Sequence, residues 1–491
     1  MRDVVLENME QYFSPFRYNT VGYNLRFSSC YGEQPLVYAD WAASGRLYGP
    51  IEDFMSNTLG PFVGNTHSES SETGTRMTHA YHLARAYIKK HVNASAHDVL
   101  LFSGFGMTSA VNKFQRLLGL RLDERFRPYL NLPERLRPVV FVTHMEHHSN
   151  HISWRETCAE VVCIKPNGQD LVDLDSLRNL LLEYQDRPLK IGAFTACSNV
   201  TGIQTPYHDM ARLMHEFGGI CLVDFAGSAP YVDIDMHPAD EGAKLDAIVF
   251  SPHKFLGGPG SSGVLVFDKR LYNTSIPDNP GGGTVTWTNP WGGHHYLSDI
   301  ETREDGGTPG YLQALRAALA LKLKDEMGVT NILAHEKLLL TVLLDGLQTT
   351  PGISVLAGNV RNRLGIVSFY SEDIHYNLFV RLLNDRFGIQ ARGGCSCAGT
   401  YGHFLLGIGP EASKKITDLI DAGHIEAKPG WVRLSLHPTI TTDEVGYMVQ
   451  AIRQIVKNAK AWRDDYIFVP ATSEFRYIHA VETDKPWTDI L

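Results

Sequence analysis

Lys254 has the setting of a reactive amine. It follows the apolar run 245–250 and precedes Gly257, Gly258, Gly260 and Gly263, so it sits on a tight, sterically open turn just past a strand. Desolvation or a neighbouring cation lowers a lysine's pKa and frees the amine to form a Schiff base with a carbonyl. Alone, the pattern also fits a surface lysine on a glycine-rich hairpin. Asp224 ends the apolar stretch 220–223, where a carboxylate is costly unless a cation faces it. A protonated pyridine nitrogen is such a cation; a solvated strand-end acid is the alternative. Gly104 and Gly106 join a strand to a helix start. The backbone N–H groups of Gly106 and Met107, with the hydroxyls of Thr108 and Ser109, make a phosphate cradle, or else an ordinary turn with Thr108 near an N-cap. His144, His147, His148 and His151 follow the strand 139–142. With no second ligand cluster in the chain, an imidazole stacked on a planar ring is preferred to a metal site, so no metal is expected. Asn199, past the strand 190–195, can donate a hydrogen bond to a ring oxygen or simply shape its turn. A lysine, an acid for a ring nitrogen, a ring-face aromatic and a phosphate cradle are the requirements of pyridoxal 5'-phosphate.

The elements that must position these residues alternate. Strands at 99–102, 139–142, 161–164, 190–195 and 220–224 are interleaved with helices at 108–118, 174–184 and 207–217. This predicts an α/β domain with a mostly parallel sheet, whose ligand crevice lies at the carboxyl ends of the strands. The small residues after strand 37–40, Ala42 among them, let a backbone approach a ligand. The expected organisation is an aperiodic N-terminal arm at 1–36, a large cofactor-binding domain at 37–310, a smaller α+β domain with its linking helix at 311–460, and a polar-aromatic tail at 461–491 that drapes over the body or a partner subunit. The chain has 491 residues, 43% apolar, and a net charge of −9 without a basic block, which argues against nucleic-acid or anionic-lipid partners. No run approaches the ~18 apolar residues of a membrane span. Seven scattered cysteines and the lack of a signal-peptide pattern lead us to expect a cytoplasmic enzyme without a disulfide framework.

From about Tyr38 to Ile455 the chain resembles the class V aminotransferase-fold enzymes, and within them the cysteine desulfurase/selenocysteine lyase group. The motifs are Glu146-His147-His148, Ser198-Asn199-Val200, Val223-Asp224, Ser251-x-His253-Lys254, Gly307-Thr308-Pro309, Arg392-x-Gly394-x-x-Cys397-Ala398 and Arg433-x-Ser435-Leu436. The resemblance implies a fold type I pyridoxal-phosphate enzyme with a mainly parallel seven-stranded sheet. It implies that Lys254 carries the cofactor, Asp224 pairs with its ring nitrogen, His147 stacks on the ring and Asn199 contacts the phenolic oxygen. Gly106, Met107, Thr108, Ser251 and His253 would hold the phosphate, with Thr308 from the other subunit of a homodimer. Arg433 would take the substrate carboxylate as a bidentate fork, with Arg392, Ala42 and Asn199 also on the substrate side. Free cysteine would displace Lys254, whose amine then removes the Cα proton. Cys397, as thiolate, would attack the substrate sulfur, leaving alanine and a persulfide for a protein acceptor.

This sequence departs from the family in three places. Gly227 stands where a glutamine is usual; Ser396 replaces a common histidine while Cys395 adds a second thiol, a Cys-x-Cys loop that also looks like molybdenum-cofactor sulfurases; and the chain is longer than a compact family member, in a 121–138 insertion and the tail. Other class V activities (an aminotransferase, epimerase or selenocysteine lyase) and a non-catalytic protein that has kept the fold are the alternatives.

Overall fold

The computed structural model describes residues 2–66 and 68–479. The chain forms two compact units. The larger holds Phe13–Val21 and Ala42–Ala334; the smaller holds the described parts of 1–12, 22–41 and 335–491.

The larger unit is built on seven strands: β1 (Asp98–Ser103), β2 (Val139–Thr143), β3 (Glu160–Ile164), β4 (Lys190–Thr195), β5 (Ile220–Asp224), β6 (Ala247–Phe250) and β7 (Gly263–Asp268). Their order across the sheet is β1-β7-β6-β5-β4-β2-β3. Neighbours from β6 to β3 run parallel, and β7 is antiparallel to both β1 and β6. β2, β4 and β6 are buried at every residue. Unbroken apolar runs of this kind belong to strands covered on both faces rather than to half-wet ones. One core gathers Leu101, Phe114, Val140, Trp154, Leu222, Leu265 and Phe267, all at most 1% exposed. Because β2, β4, β5 and β6 run the same way, the residues that follow them leave from one edge of the sheet. The segments carrying His147, Asn199, Asp224 and Lys254 are therefore gathered there by topology alone.

The smaller unit holds an antiparallel sheet of β8 (Ser354–Val355), β9 (Ile366–Tyr370), β10 (Arg392–Gly394) and β11 (Trp431–Ser435), in the order β8-β9-β11-β10. Helices Tyr376–Phe387 and Thr442–Arg463 accompany it, the second started by a capping box between Thr441 and Glu444.

Two expectations need correction. Residues 1–36 are not aperiodic: Arg2–Tyr18 is a helix, despite Pro15 inside it, and Arg26–Ser29 pairs with Gly32–Pro35 as a hairpin. A tertiary tie helps hold the helix, since Glu10 accepts the backbone N–H of Thr442 at 2.7 Å. The boundaries at 37 and 310 also move. Val37–Tyr38 pairs in parallel with Ile389–Gln390, and Ala39 O accepts the Ser435 N–H at 2.7 Å, so this strand joins the smaller unit. The Ala-rich helix Tyr311–Met327, buried along most of its length, stays with the larger. The tail forms a hairpin, Tyr466–Val469 with Glu474–Tyr477, whose Phe468 and Phe475 rings pack on His375. Trp487 lies outside the described residues. The 121–138 insertion carries two exposed 3-10 turns, Glu124–Tyr129 and Glu134–Leu136.

Phe114 is fully buried, its ring tilted against Phe267 at a 5.8 Å centroid distance. Phe114→Ala is expected to cost the larger unit about 3–5 kcal/mol, read as a lowered midpoint in urea denaturation.

Candidate active site

Asp224 ends β5 at 2% exposure. Its Oδ1 accepts the Ala226 N–H at 2.8 Å. Burial pushes its pKa up to about 6, opposed by that hydrogen bond and by the positive charge of Lys254. The acid and the lysine are thus electrostatic neighbours, and a further cation placed against Asp224 would relieve the burial.

Lys254 closes a single 3-10 turn, Pro252–Lys254, whose backbone is pinned where Gly45 N–H donates to His253 O at 2.9 Å. A side chain at 45 would collide with the Phe255 carbonyl, so that close approach requires glycine. Ser251 Oγ accepts the Met107 N–H at 2.8 Å, which ties the strand end of β6 to the start of helix Met107–Leu117. Gly106 leaves bare backbone there: a Cβ would come 3.0 Å from Ser251 Oγ and 3.4 Å from His253 Nε2. Burial, with help from Lys254, lowers His253 to about 4, so its imidazole is neutral at pH 7 and keeps an N–H to donate. A helix N-terminus, a hydroxyl, a neutral imidazole and a space that only glycine leaves open suit a phosphate. Thr108 joins the same helix start, its hydroxyl 2.7 Å from that of Ser149. His147 caps helix His148–Arg155, its Nδ1 accepting the Ser149 N–H at 3.1 Å, which leaves the neutral ring's proton on Nε2. With the acid, the lysine and this cradle on one sheet edge, the residues present fit pyridoxal 5'-phosphate.

Asn199 is 7% exposed in the turn after β4. Gly227 accounts for one departure from the family: a Cβ there would stand 2.8 Å from Cys197 O, so a glutamine has no room unless the backbone shifts. Thr308 is exposed and borders a cavity of about 380 Å³ with Gly104 and Phe105.

Glu146 was legible only as a motif letter, and its position gives it a role. At 1% exposure, it accepts hydrogen bonds from Thr143 Oγ1 at 2.7 Å, Thr195 N at 2.8 Å and Asn150 Nδ2 at 2.8 Å, clasping the ends of β2 and β4 together. Burial pushes it up to about 8 against those three donors, and the charge of Asp224 pushes the same way. At neutral pH the pair therefore holds its negative charge mainly on Asp224.

In the smaller unit Arg433, on β11, is 3% exposed and donates from Nη2 to Asp40 Oδ1 at 2.7 Å. Arg392, half exposed on β10, donates from Nε to the other oxygen, Asp40 Oδ2, at 3.0 Å. Burial lowers Arg433, opposed chiefly by Asp40, with Cys397 also within electrostatic reach. Asp40 is absent from the residues the sequence singles out; the signal for it is two arginines on one ligand, with a lone acid in the strand 37–41 to share them. Cys397 is exposed on the loop after β10, while Ala42 is buried in the larger unit. Among the described residues no His, Cys, Asp and Glu cluster suits a metal ion, and no single helix is long and apolar enough to cross a membrane.

The raised Asp224 has a stability signature in the cofactor-free chain. The folded form holds its proton longer than the unfolded one, so stability falls as pH rises from 3.8 to about 6 and stays reduced above. Asp224→Asn should flatten that slope and stabilise the cofactor-free chain by about 3 kcal/mol at pH 8, as read by urea denaturation across pH. The slope that persists toward pH 8 belongs to the buried Glu146 and Glu336, both pushed up to about 8 by burial.

The chain is similar to a probable cysteine desulfurase of Halalkalibacterium halodurans, 29% identical over 370 residues that cover 74% of this chain and 84% of that protein. It is similar to a cysteine desulfurase of Escherichia coli at 28% identity over 384 residues, 74% of this chain and 84% of that protein. Among solved structures, the apo cysteine desulfurase of Thermococcus onnurineus superposes with a TM-score of 0.72 over 91% of this chain and 98% of its own, at 21% identity. That likeness bears out the fold expected from the alternating strands and helices. The aminotransferase class-V family model matches residues 37–448, and the chain belongs to that family.

Proposed function

We propose that this protein is a cysteine desulfurase that uses pyridoxal 5'-phosphate to convert L-cysteine to L-alanine and a persulfide on Cys397. The observation that carries the cofactor is the buried Asp224 within the field of Lys254, beside the Gly106–Ser251–His253 cradle. When bound, the cofactor supplies an electron sink for the pair left on the substrate's Cα. Asp224 would pair with the ring nitrogen and favour its protonated form, His147 would offer its imidazole to the ring and Asn199 its side chain to the ring oxygen. Met107, Thr108, Ser251 and His253 would hold the phosphate. Lys254 would hold the cofactor through its amine, and that amine is also the base that takes the substrate's Cα proton. Arg433, held by Asp40, receives the substrate carboxylate, and Arg392 adds positive charge beside it. Cys397 Sγ attacks the substrate sulfur, the carbon–sulfur bond breaks, and alanine departs. The exposure of Cys397 on a glycine-rich loop, and its place within electrostatic reach of Arg433, support that role. A homodimer in which the exposed Thr308 serves the partner's phosphate, a protein sulfur acceptor and a cytoplasmic location complete the proposal.

The test is the visible spectrum of the purified, cofactor-loaded chain before and after L-cysteine, with alanine assayed in the same tube. Lys254→Ala should lose the covalently bound absorption band, whereas Cys397→Ser should keep it and make no alanine. A Cys397→Ser variant with full alanine production would overturn the persulfide role. Arg433→Lys loses the fork, so KM for cysteine should rise about ten- to a hundredfold in steady-state assays, with a smaller change in kcat.

A further inference from the structure

The Cys397 mechanism leaves Cys395 without a task, yet the loop is built around both thiols. Ala398 N–H donates to Cys395 O at 3.0 Å and closes a turn whose two central residues, Ser396 and Cys397, have φ of 52° and 55°. Two successive non-glycine residues in the left-handed region are uncommon, and they persist only where the surroundings impose them. One restraint is visible: Trp431 Nε1 donates to Ser396 Oγ at 3.1 Å, fixing the residue between the cysteines. Folding the segment into a turn keeps the Cα atoms of residues 395 and 397 within the roughly 4–7 Å that two joined sulfurs can bridge. The two thiols have different surroundings. Cys397 is exposed and lies within electrostatic reach of the Arg433 guanidinium; Cys395 is half-buried and lies within reach of the Tyr376 phenol. Tyr376 is backed in turn by the tail hairpin, where Asn377 Nδ2 donates to Ser473 O.

Resting on the desulfurase reading, we propose that Cys395 is a second sulfur carrier, taking the sulfane sulfur from Cys397 within the same loop. The Cys395 thiolate attacks the terminal sulfur of the Cys397 persulfide. A new sulfur–sulfur bond forms at Cys395, the old one breaks, and its electron pair stays on Cys397 Sγ as thiolate. The proton travels with the transferred sulfur, so no oxidant or reductant is consumed. Arg433 favours this direction, because a cation beside the leaving sulfur stabilises the thiolate it becomes. Cys397 is thereby returned for a second substrate while the first sulfur waits at the more sheltered thiol.

The experiment is an alanine burst from cofactor-loaded enzyme with L-cysteine and no added acceptor or reductant, quenched before free cysteine can strip the persulfide, followed by peptide mass spectrometry of the loop. The wild type should release about two alanines per chain in the burst, ahead of the slower turnover, with one extra sulfur on each cysteine. Cys395→Ser and Cys395→Ala should each release about one, with the sulfur on Cys397 and the cofactor absorption band unchanged. A wild-type burst of about one with no sulfur on Cys395, or a burst unaltered in both Cys395 variants, overturns the relay and leaves the desulfurase reading intact. A Cys395–Cys397 disulfide with released hydrosulfide also overturns it, since the inner sulfur was then attacked. Persistence of the burst in Cys397→Ser defeats the underlying reading instead.

Discussion

A carboxylate removed from water is tolerable only beside positive charge, and Asp224 imposes that condition on the larger unit. β5 lies in the middle of the sheet, with hydrogen-bonded neighbours on both sides, so its last residue is enclosed. Lys254 offsets part of the burial, but Asp224 still lies well above the ordinary carboxylate range. A protonated ring nitrogen would supply the rest, which makes cofactor affinity and fold stability one quantity at this position. Glu146 fits the same scheme. Holding its own proton, it clasps two strand ends without adding a second negative charge to the crevice.

The smaller unit uses the opposite arrangement, one acid shared by two cations. Asp40 holds Arg433 and Arg392 with separate oxygens. Arg433 is buried, so its charge is held in a medium where a carboxylate ligand gains more than it would in water, and its geometry is set before any ligand arrives. The thiol of Cys397 lies in the same field. On the proposed reading, carboxylate recognition and sulfur chemistry draw on one guanidinium and one supporting acid.

Much of this could be read from the chain because strand ends in a parallel sheet are predictable from apolar runs. Asp224 and Lys254 announce themselves by interrupting or following such runs, and the phosphate cradle by its glycines. The N-terminal helix Arg2–Tyr18 escaped because its helical signal is interrupted by Pro15 and part of its support is a contact with Thr442, distant in sequence. Asp40 escaped for a related reason: its strand is only two paired residues long, and its partners Arg392 and Arg433 come some 350 positions or more later. The crowding at Gly227 was visible as a departure, but its cause, the carbonyl of Cys197, is a matter of three-dimensional packing.

The position of β7 shapes how the molecule must be made. It is the last of the seven strands in the chain, yet it lies between β1 and β6, with Gly263 opposite Ser103, 160 positions earlier. β1 is the outermost strand and has β7 as its neighbour in the sheet. During synthesis it therefore emerges with both edges open and waits on the order of 10–30 s for residues 263–268 to follow. An apolar strand left uncovered for that long invites pairing with another nascent chain. Slowed elongation between residues 103 and 263 would thus cost soluble yield without altering a single native contact.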